Sequence, residues 1–287
     1  MKIFDYWYVW VIVYMLSYIV FTQFYKISTK SSKGDGDLTI LLQLIAVIIT
    51  LLFLPFFKFV FPTNWKVYLF LGIAIIFYTL ADRMFTTVRA KIEASTFGII
   101  KQVSTVMMIF AGILFFKEEF VLTKILGAFL IIFSNVIIFY DKKIRGNVPN
   151  KYILLAILAN LSFTAALFTD VNISESFNLA FYVAITFLIP ALLIFVFERI
   201  KISNLKKEFI NGNKTAIVIT GICWSISTIA GLKAYQLGQI SIVAPLLSLT
   251  VIGNIIIGYF FLNEKTNLIK KLVAAILIVI AIILIKL

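Results

Sequence analysis

Four charged residues lie within long apolar runs of this chain: Asp82, Arg83, Lys101 and Lys233. A charge in such surroundings is costly, and it marks a binding or transport site unless a partner neutralises it. Asp82 falls about seven residues before the end of one run and Lys101 about seven after the start of the next, so at 1.5 Å per residue both lie roughly 10 Å below the same surface. They are expected to pair. Arg83 is nearer the run's end, within snorkelling reach of the interface. Lys233 lies close to the opposite surface. Basic groups at both mouths of one path would suit a substrate carrying a carboxylate or phosphate.

Uncharged polar residues extend this set. Thr220, Trp224, Thr228, Gly231 and Tyr235 recur at spacings of three and four and so share one helical face. Asn160 and Thr164 share another, as do Thr250, Asn254 and Gly258, and Gln43 lies early in its own run. Such residues either line a wet cavity or join helices. Substrate contact is expected from Lys101, Asp82, Lys233, Trp224, Thr228, Tyr235, Asn160 and Thr164. An aromatic stripe, Trp7, Trp10, Tyr14, Tyr18, Phe21 and Tyr25, is assigned to interface anchoring and lipid contact. Glu119 and Glu264 are expected to cap the helices that follow them. Asp170 and Glu175 are expected in solvent.

The elements that must hold these residues follow from composition. Of 287 residues 62% are hydrophobic and only 14% charged, with no histidine and one cysteine. One or two soluble cores cannot cover that much apolar surface. A net charge of +13 would ordinarily raise nucleic acid as a partner, but the basic residues cluster in short gaps between apolar blocks, as at lipid boundaries. No nucleic-acid partner is expected. Without histidine there is no His-based triad or His-ligated zinc, Cys223 has no disulfide partner, and no phosphate-binding glycine loop is present. No cofactor or metal is expected.

Ten blocks reach the ~20 residues a membrane helix needs: 6–25, 38–60, 66–88, 94–116, 123–140, 151–171, 176–198, 215–236, 241–262 and 268–286. They are continuously apolar, unlike barrel strands. The first is read as a retained span, being too long and aromatic for a signal-peptide core. The expected class is an all-α integral membrane protein of ten helices.

The chain also repeats itself. Ile113 to Glu119, running into Leu126 to Ile132, resembles Gly258 to Glu264 running into Leu272 to Ile278, and Gly72-Ile73-Ala74 resembles Gly221-Ile222-Cys223. Two five-helix units are expected, 1–143 and 144–287. An odd number of spans per unit inverts the second unit in the membrane, as in many transporters.

With these motifs the sequence resembles the drug/metabolite transporter superfamily, in its ten-span branch of two EamA repeats. The carriers are the two five-span halves, Glu119 and Glu264, Gly127, and Gln239 to Leu246 with its small residues and Pro245. The counterpart, Ala94 to Ile99, lacks the proline and is followed by Lys101, and Leu272 is read as standing opposite Gly127. The resemblance implies a secondary transporter that exports or exchanges a small polar metabolite, such as an amino acid, by alternating access in the cell membrane. Its partners would be the bilayer, a small-molecule substrate and, where transport is proton-coupled, protons, with a monomer or homodimer as the working unit. The alternatives are a membrane enzyme or flippase-like protein acting on lipid-linked substrates, or a channel; the enzyme would need an acid, base or metal cluster that the loops lack, and the channel a filter. Most basic residues lie in the loops after odd-numbered spans, which places both termini outside. The resemblance implies both inside.

Overall fold

The computed structural model describes residues 5–119, 121–140, 149–265 and 268–286. The described chain folds into α1 (Trp7–Ser31), α2 (Asp35–Leu52), α3 (Trp65–Lys91), α4 (Ala94–Ile100), α5 (Gln102–Leu114), α6 (Leu122–Tyr140) and α7 (Asn150–Ile173). It continues through α8 (Leu179–Phe197), α9 (Ile202–Asn211), α10 (Lys214–Leu237), α11 (Ile240–Ser248), α12 (Thr250–Phe261) and α13 (Leu268–Lys286). With α4–α5 and α11–α12 each taken as one bent span, nine described helices are long and apolar enough to cross a membrane. The apolar stretch of α6 is shorter, Leu122–Ser134. The protein is an all-α membrane protein.

Several expected boundaries move. The second span ends at Leu52, not at 60, because Pro55 follows in a tight turn over Leu54–Phe56. The first span continues past Tyr25 to Ser31. The segment expected as a loop between 198 and 214 contains the short helix α9. The expected division at 143/144 lies outside the described residues, as do Lys2, Lys142, Lys143 and Arg145 of the charge argument.

Helix pairing is reciprocal. α1 packs most extensively on α10 and α3 on α7, while α6 packs on α13 and α2 on α8. The close approach of α6 to α13 depends on Gly127, where a Cβ would lie 2.8 Å from the Ala281 carbonyl oxygen. Apolar side chains such as Leu16, Phe129, Leu192 and Ile283 face outward, as a lipid-facing surface requires.

Two spans are broken at comparable places. α4 gives way to α5 at Lys101 (φ −57, ψ −21), and α11 to α12 at Leu249 (φ −57, ψ −18). Both junctions are tightened by i→i+3 bonds, Ser104 N–H to Lys101 O at 2.9 Å and Ile252 N–H to Leu249 O at 3.1 Å.

The first turn of each broken span is capped from the far half of the sequence. The Glu264 carboxylate accepts the backbone N–H groups of Ala94 (2.6 Å) and Ser95 (3.0 Å). The Glu118 carboxylate accepts those of Ile240 (2.7 Å) and Ser241 (3.0 Å). A negative group bonded to the orphan N–H groups of a helix start satisfies both the hydrogen bonds and the dipole. Each glutamate is presented by the same turn: Glu118 N–H bonds Gly112 O and Glu264 N–H bonds Gly258 O, both at 3.0 Å. The residue before each glutamate has positive φ, 55° at Lys117 and 58° at Asn263. A lysine completes each cluster, Lys124 reaching Ser241 Oγ (2.9 Å) and Lys271 reaching Ser95 Oγ (2.8 Å). Two sequence expectations are corrected here. The partner of Glu264 is Glu118, not the exposed Glu119, and these carboxylates cap helices across the molecule, not the ones that follow them. The Lys124–Lys271 match also sets the buried Ala274, not the lipid-facing Leu272, opposite Gly127.

Candidate functional site

A cavity of about 110 Å³ lies beside the Lys101 bend, walled by α1, α3, α5, α7, α8, α10 and α11. It has room for a few water molecules or a small organic solute. Its charged lining residues are Asp82, Arg89 and Lys101.

Lys101 sits where the broken span leaves the chain in a tight turn, so its side chain reaches across to α1. Nζ donates to the Tyr14 hydroxyl at 2.7 Å and lies 3.5 Å from the centre of the Tyr18 ring. Asp82 is buried on α3 and accepts from Gln43 Nε2 of α2 at 2.8 Å. The expected Asp82–Lys101 ion pair is therefore not formed, although both residues line the cavity. Equal depth did not make them neighbours: a phenol on α1 and an amide on α2 stand closer to each and serve as their partners. Arg83 turns away from the cavity and pairs with Glu198, with Thr87 as a further acceptor at 2.8 Å.

Arg89, assigned to a loop on sequence grounds, lies in the last turns of α3 and is 3% exposed. Its guanidinium carbon stands 4.2 Å from the Phe97 ring centre, 4.8 Å from Tyr25 and 5.2 Å from Phe21. Nη2 donates to the Tyr18 hydroxyl at 3.4 Å, while Nε and Nη1 bond no protein atom. The aromatic stripe of α1 thus faces inward, and its assignment to lipid is corrected for Tyr14, Tyr18, Phe21 and Tyr25, all of which line the cavity. The physical reason is that these rings cover the cations Lys101 and Arg89, which lipid would not solvate. Lys26, also placed in a loop by sequence, is buried and donates to the carbonyls of Arg89 (2.6 Å) and Ile92 (2.7 Å). It satisfies the end of α3 from which Arg89 projects.

Of the other expected contacts, Trp224, Thr228 and Tyr235 of α10 line the cavity. The Trp224 ring packs against Phe187 with centres 5.0 Å apart. Asn160 and Thr164 do not line it: Asn160 Nδ2 donates to Ala156 O at 2.7 Å, its carbonyl oxygen accepts from Ser104 of α5, and Thr164 donates back to it. Asn160 joins α7 to α5, and Thr164 bonds within α7. Lys233 also stands outside the cavity, half-buried and donating to Gln236 Oε1 at 3.2 Å, so the expected pair of basic mouths is not built from it. Asp170 is not in solvent. It is fully buried, accepting from Tyr182 at 2.6 Å and from Tyr78, whose ring lines the cavity.

The signal for Arg89 was present in the sequence. Tyr78, Asp82, Phe85 and Arg89 recur at spacings of four, three and four, one face of a helix, and all four line the cavity. Ending that span at residue 88 hid the last of them.

Residues 5–140 match the model of the EamA-like transporter family. No curated protein matches the chain. A solved structure, described only as the crystal structure of a protein, superimposes with a TM-score of 0.69 at 13% identity, covering 97% of this chain and 98% of that chain. Identity that low speaks to the fold alone. With its lipid-facing helices and this match, the chain is a multi-pass membrane protein whose residues 5–140 are similar to the EamA-like transporter family.

Proposed function

We propose that the protein is a secondary transporter that exports or exchanges a small polar metabolite across the cell membrane by alternating access, using two inverted five-helix halves, 1–143 and 144–287. The observation that carries this reading is the position of the cavity. It is walled by helices from both halves of the sequence and lies against α5 and α11, which belong to the two broken spans. Broken helices beside a central site are where a transporter can place both ligand contacts and hinge points. The matched caps of Glu118 and Glu264 support the two-half reading, because each ties one broken span to the loop that ends the other.

Substrate contact is assigned to Asp82, Lys101, Trp224, Thr228 and Tyr235. Asn160, Thr164 and Lys233 support the walls. The test is counterflow in liposomes. Vesicles preloaded with a metabolite mixture are diluted into each labelled component in turn. Trans-acceleration by an unlabelled internal solute is expected. Uptake that shows no dependence on internal solute would point to a channel and reject alternating access.

A further inference from the structure

We propose that the cavity takes an organic anion of single charge, whose carboxylate docks on the Arg89 guanidinium while its apolar body lies along the rings of α1 and Trp224. This names the substrate class of the proposed transport site and rests on that reading. A guanidinium carries five N–H donors in a planar fork and has no way to become neutral in a protein. Arg89 is 3% exposed, yet only its Nη2 contacts an acceptor, at 3.4 Å, and Nε and Nη1 meet no protein atom. The rings of Phe21, Tyr25 and Phe97 engage the cation without using its N–H bonds. Leaving charged donors unpaired inside a protein is among the more costly arrangements, and a carboxylate matches the fork with two parallel bonds.

The charge of the ligand follows from the lining. Arg89 and Lys101 supply two basic groups to the lining and Asp82 one acidic group, an excess of one basic group that favours a singly charged anion. A phosphate monoester carries nearly two. Spacing along α3 disfavours a two-point grip on an α-amino acid. Asp82 and Arg89 are seven residues apart on α3, about 10 Å along the axis. The ammonium and carboxylate of an α-amino acid sit on one carbon, close together, whereas Asp82 and Arg89 form no ion pair and are separated along the helix. A plain carboxylate should therefore bind better than its α-amino counterpart, whose ammonium would be left among aromatic rings beside a cation.

The probes are 3-phenylpropionate, its neutral amide, phenylalanine, 2-phenylethylamine and phenyl phosphate, titrated by thermal shift against the purified full chain. The expected order places 3-phenylpropionate first, with the amide and amine at least tenfold weaker. Arg89→Gln should weaken 3-phenylpropionate by about tenfold or more while leaving the amide unchanged, and Arg89→Lys should recover part of the loss. Should Arg89→Gln fail to fold, the comparison of acid, amide and amine on the unaltered protein decides. No shift with 3-phenylpropionate, or equal shifts with amide or amine, overturns the anion site, and stronger binding of phenyl phosphate or phenylalanine overturns the assigned class. Labelled 3-phenylpropionate is then tested for counterflow. Arg89-dependent binding without counterflow rejects the transport reading and leaves the anion site standing.

Discussion

At the scale of single residues, Asp82 and Lys101 are each held by a neutral partner, and that governs what their removal should do. Asp82 is held by one amide, Gln43 Nε2, and an asparagine in its place still offers that amide an acceptor. Asp82→Asn is therefore expected to fold as well as the parent. If transport is driven by protons, a cavity carboxylate is the group that can carry them. The variant should then keep solute exchange in liposomes and lose its response to an imposed pH gradient; an unchanged response would remove Asp82 from the coupling. Lys101 depends on Tyr14 in the same way. Tyr14→Phe removes the closest acceptor of the ammonium and is expected to cost about 1–3 kcal/mol, the usual penalty of a weakly satisfied buried polar group. Thermal unfolding should show a lowered midpoint that Lys101→Met, added to Tyr14→Phe, largely restores. Continued loss in the double variant would mean that the phenol acts by packing, not by holding the charge. The sequence singled out Asp82, Lys101 and Trp224, which line the cavity, because charge and amphipathic spacing mark them. It could not show which partner each one takes, since Tyr14 and Gln43 are polar residues on other helices with many possible neighbours.

At the scale of elements, the two broken spans start from caps supplied by distant loops. Glu264→Gln and Glu118→Gln keep an acceptor but remove the charge that faces two orphan N–H groups and a helix dipole. Each is expected to lower stability by about 0.5–2 kcal/mol, the range for losing a good N-cap. Glu119→Gln, at an exposed side chain, should stay within about 0.5 kcal/mol of the parent. Midpoints measured in one detergent compare the three directly, and a Glu119 effect as large as that of Glu118 would reverse the pairing. The sequence did reveal that residues near 118 and 264 were equivalent, from the aromatics before them and the helix after. One-residue register was beyond it, because Glu118 and Glu119 are chemically identical until the turn is seen: Gly112 O receives the N–H of Glu118, and positive φ at Lys117 aims that side chain across the molecule. Gly127 was legible too, but the reason for it is tertiary. A Gly127→Val change places branched carbon against the Ala281 carbonyl and the Ile285 side chain, and is expected to cost about 1–3 kcal/mol by overpacking.

At the scale of the whole molecule, both ends of the described chain reach one face. Trp7, at the start of α1, lies against Gly238, and Gly238 leads into Ile240, which Glu118 caps. Close to Glu118 in sequence, α6 begins, and its Gly127 meets Ile285 at the end of α13. The opposite face gathers the Ala94 cap by Glu264, the Lys26 bonds to the end of α3, and the Ser31–Asn213 contact. Termini on one face require an even number of crossings, which agrees with α6 crossing although its apolar stretch is short. The charge bias survives the structure in part. Lys26, Arg89 and Lys271 are buried in internal contacts, so they no longer count as loop charges, and Lys124 drops out of the other face for the same reason. The remaining loop lysines, such as Lys30, Lys201, Lys206, Lys207 and Lys214, still lie on the face opposite the termini. Loop lysines of this kind stay on the cytoplasmic side during insertion. Reporters active only outside the cytoplasm, fused separately before Trp7 and after Leu287, are therefore both expected to be active. Two inactive reporters would show that the orientation implied by the resemblance outweighs this charge pattern. One active and one inactive would mean an odd number of crossings and would overturn the two-half architecture with it.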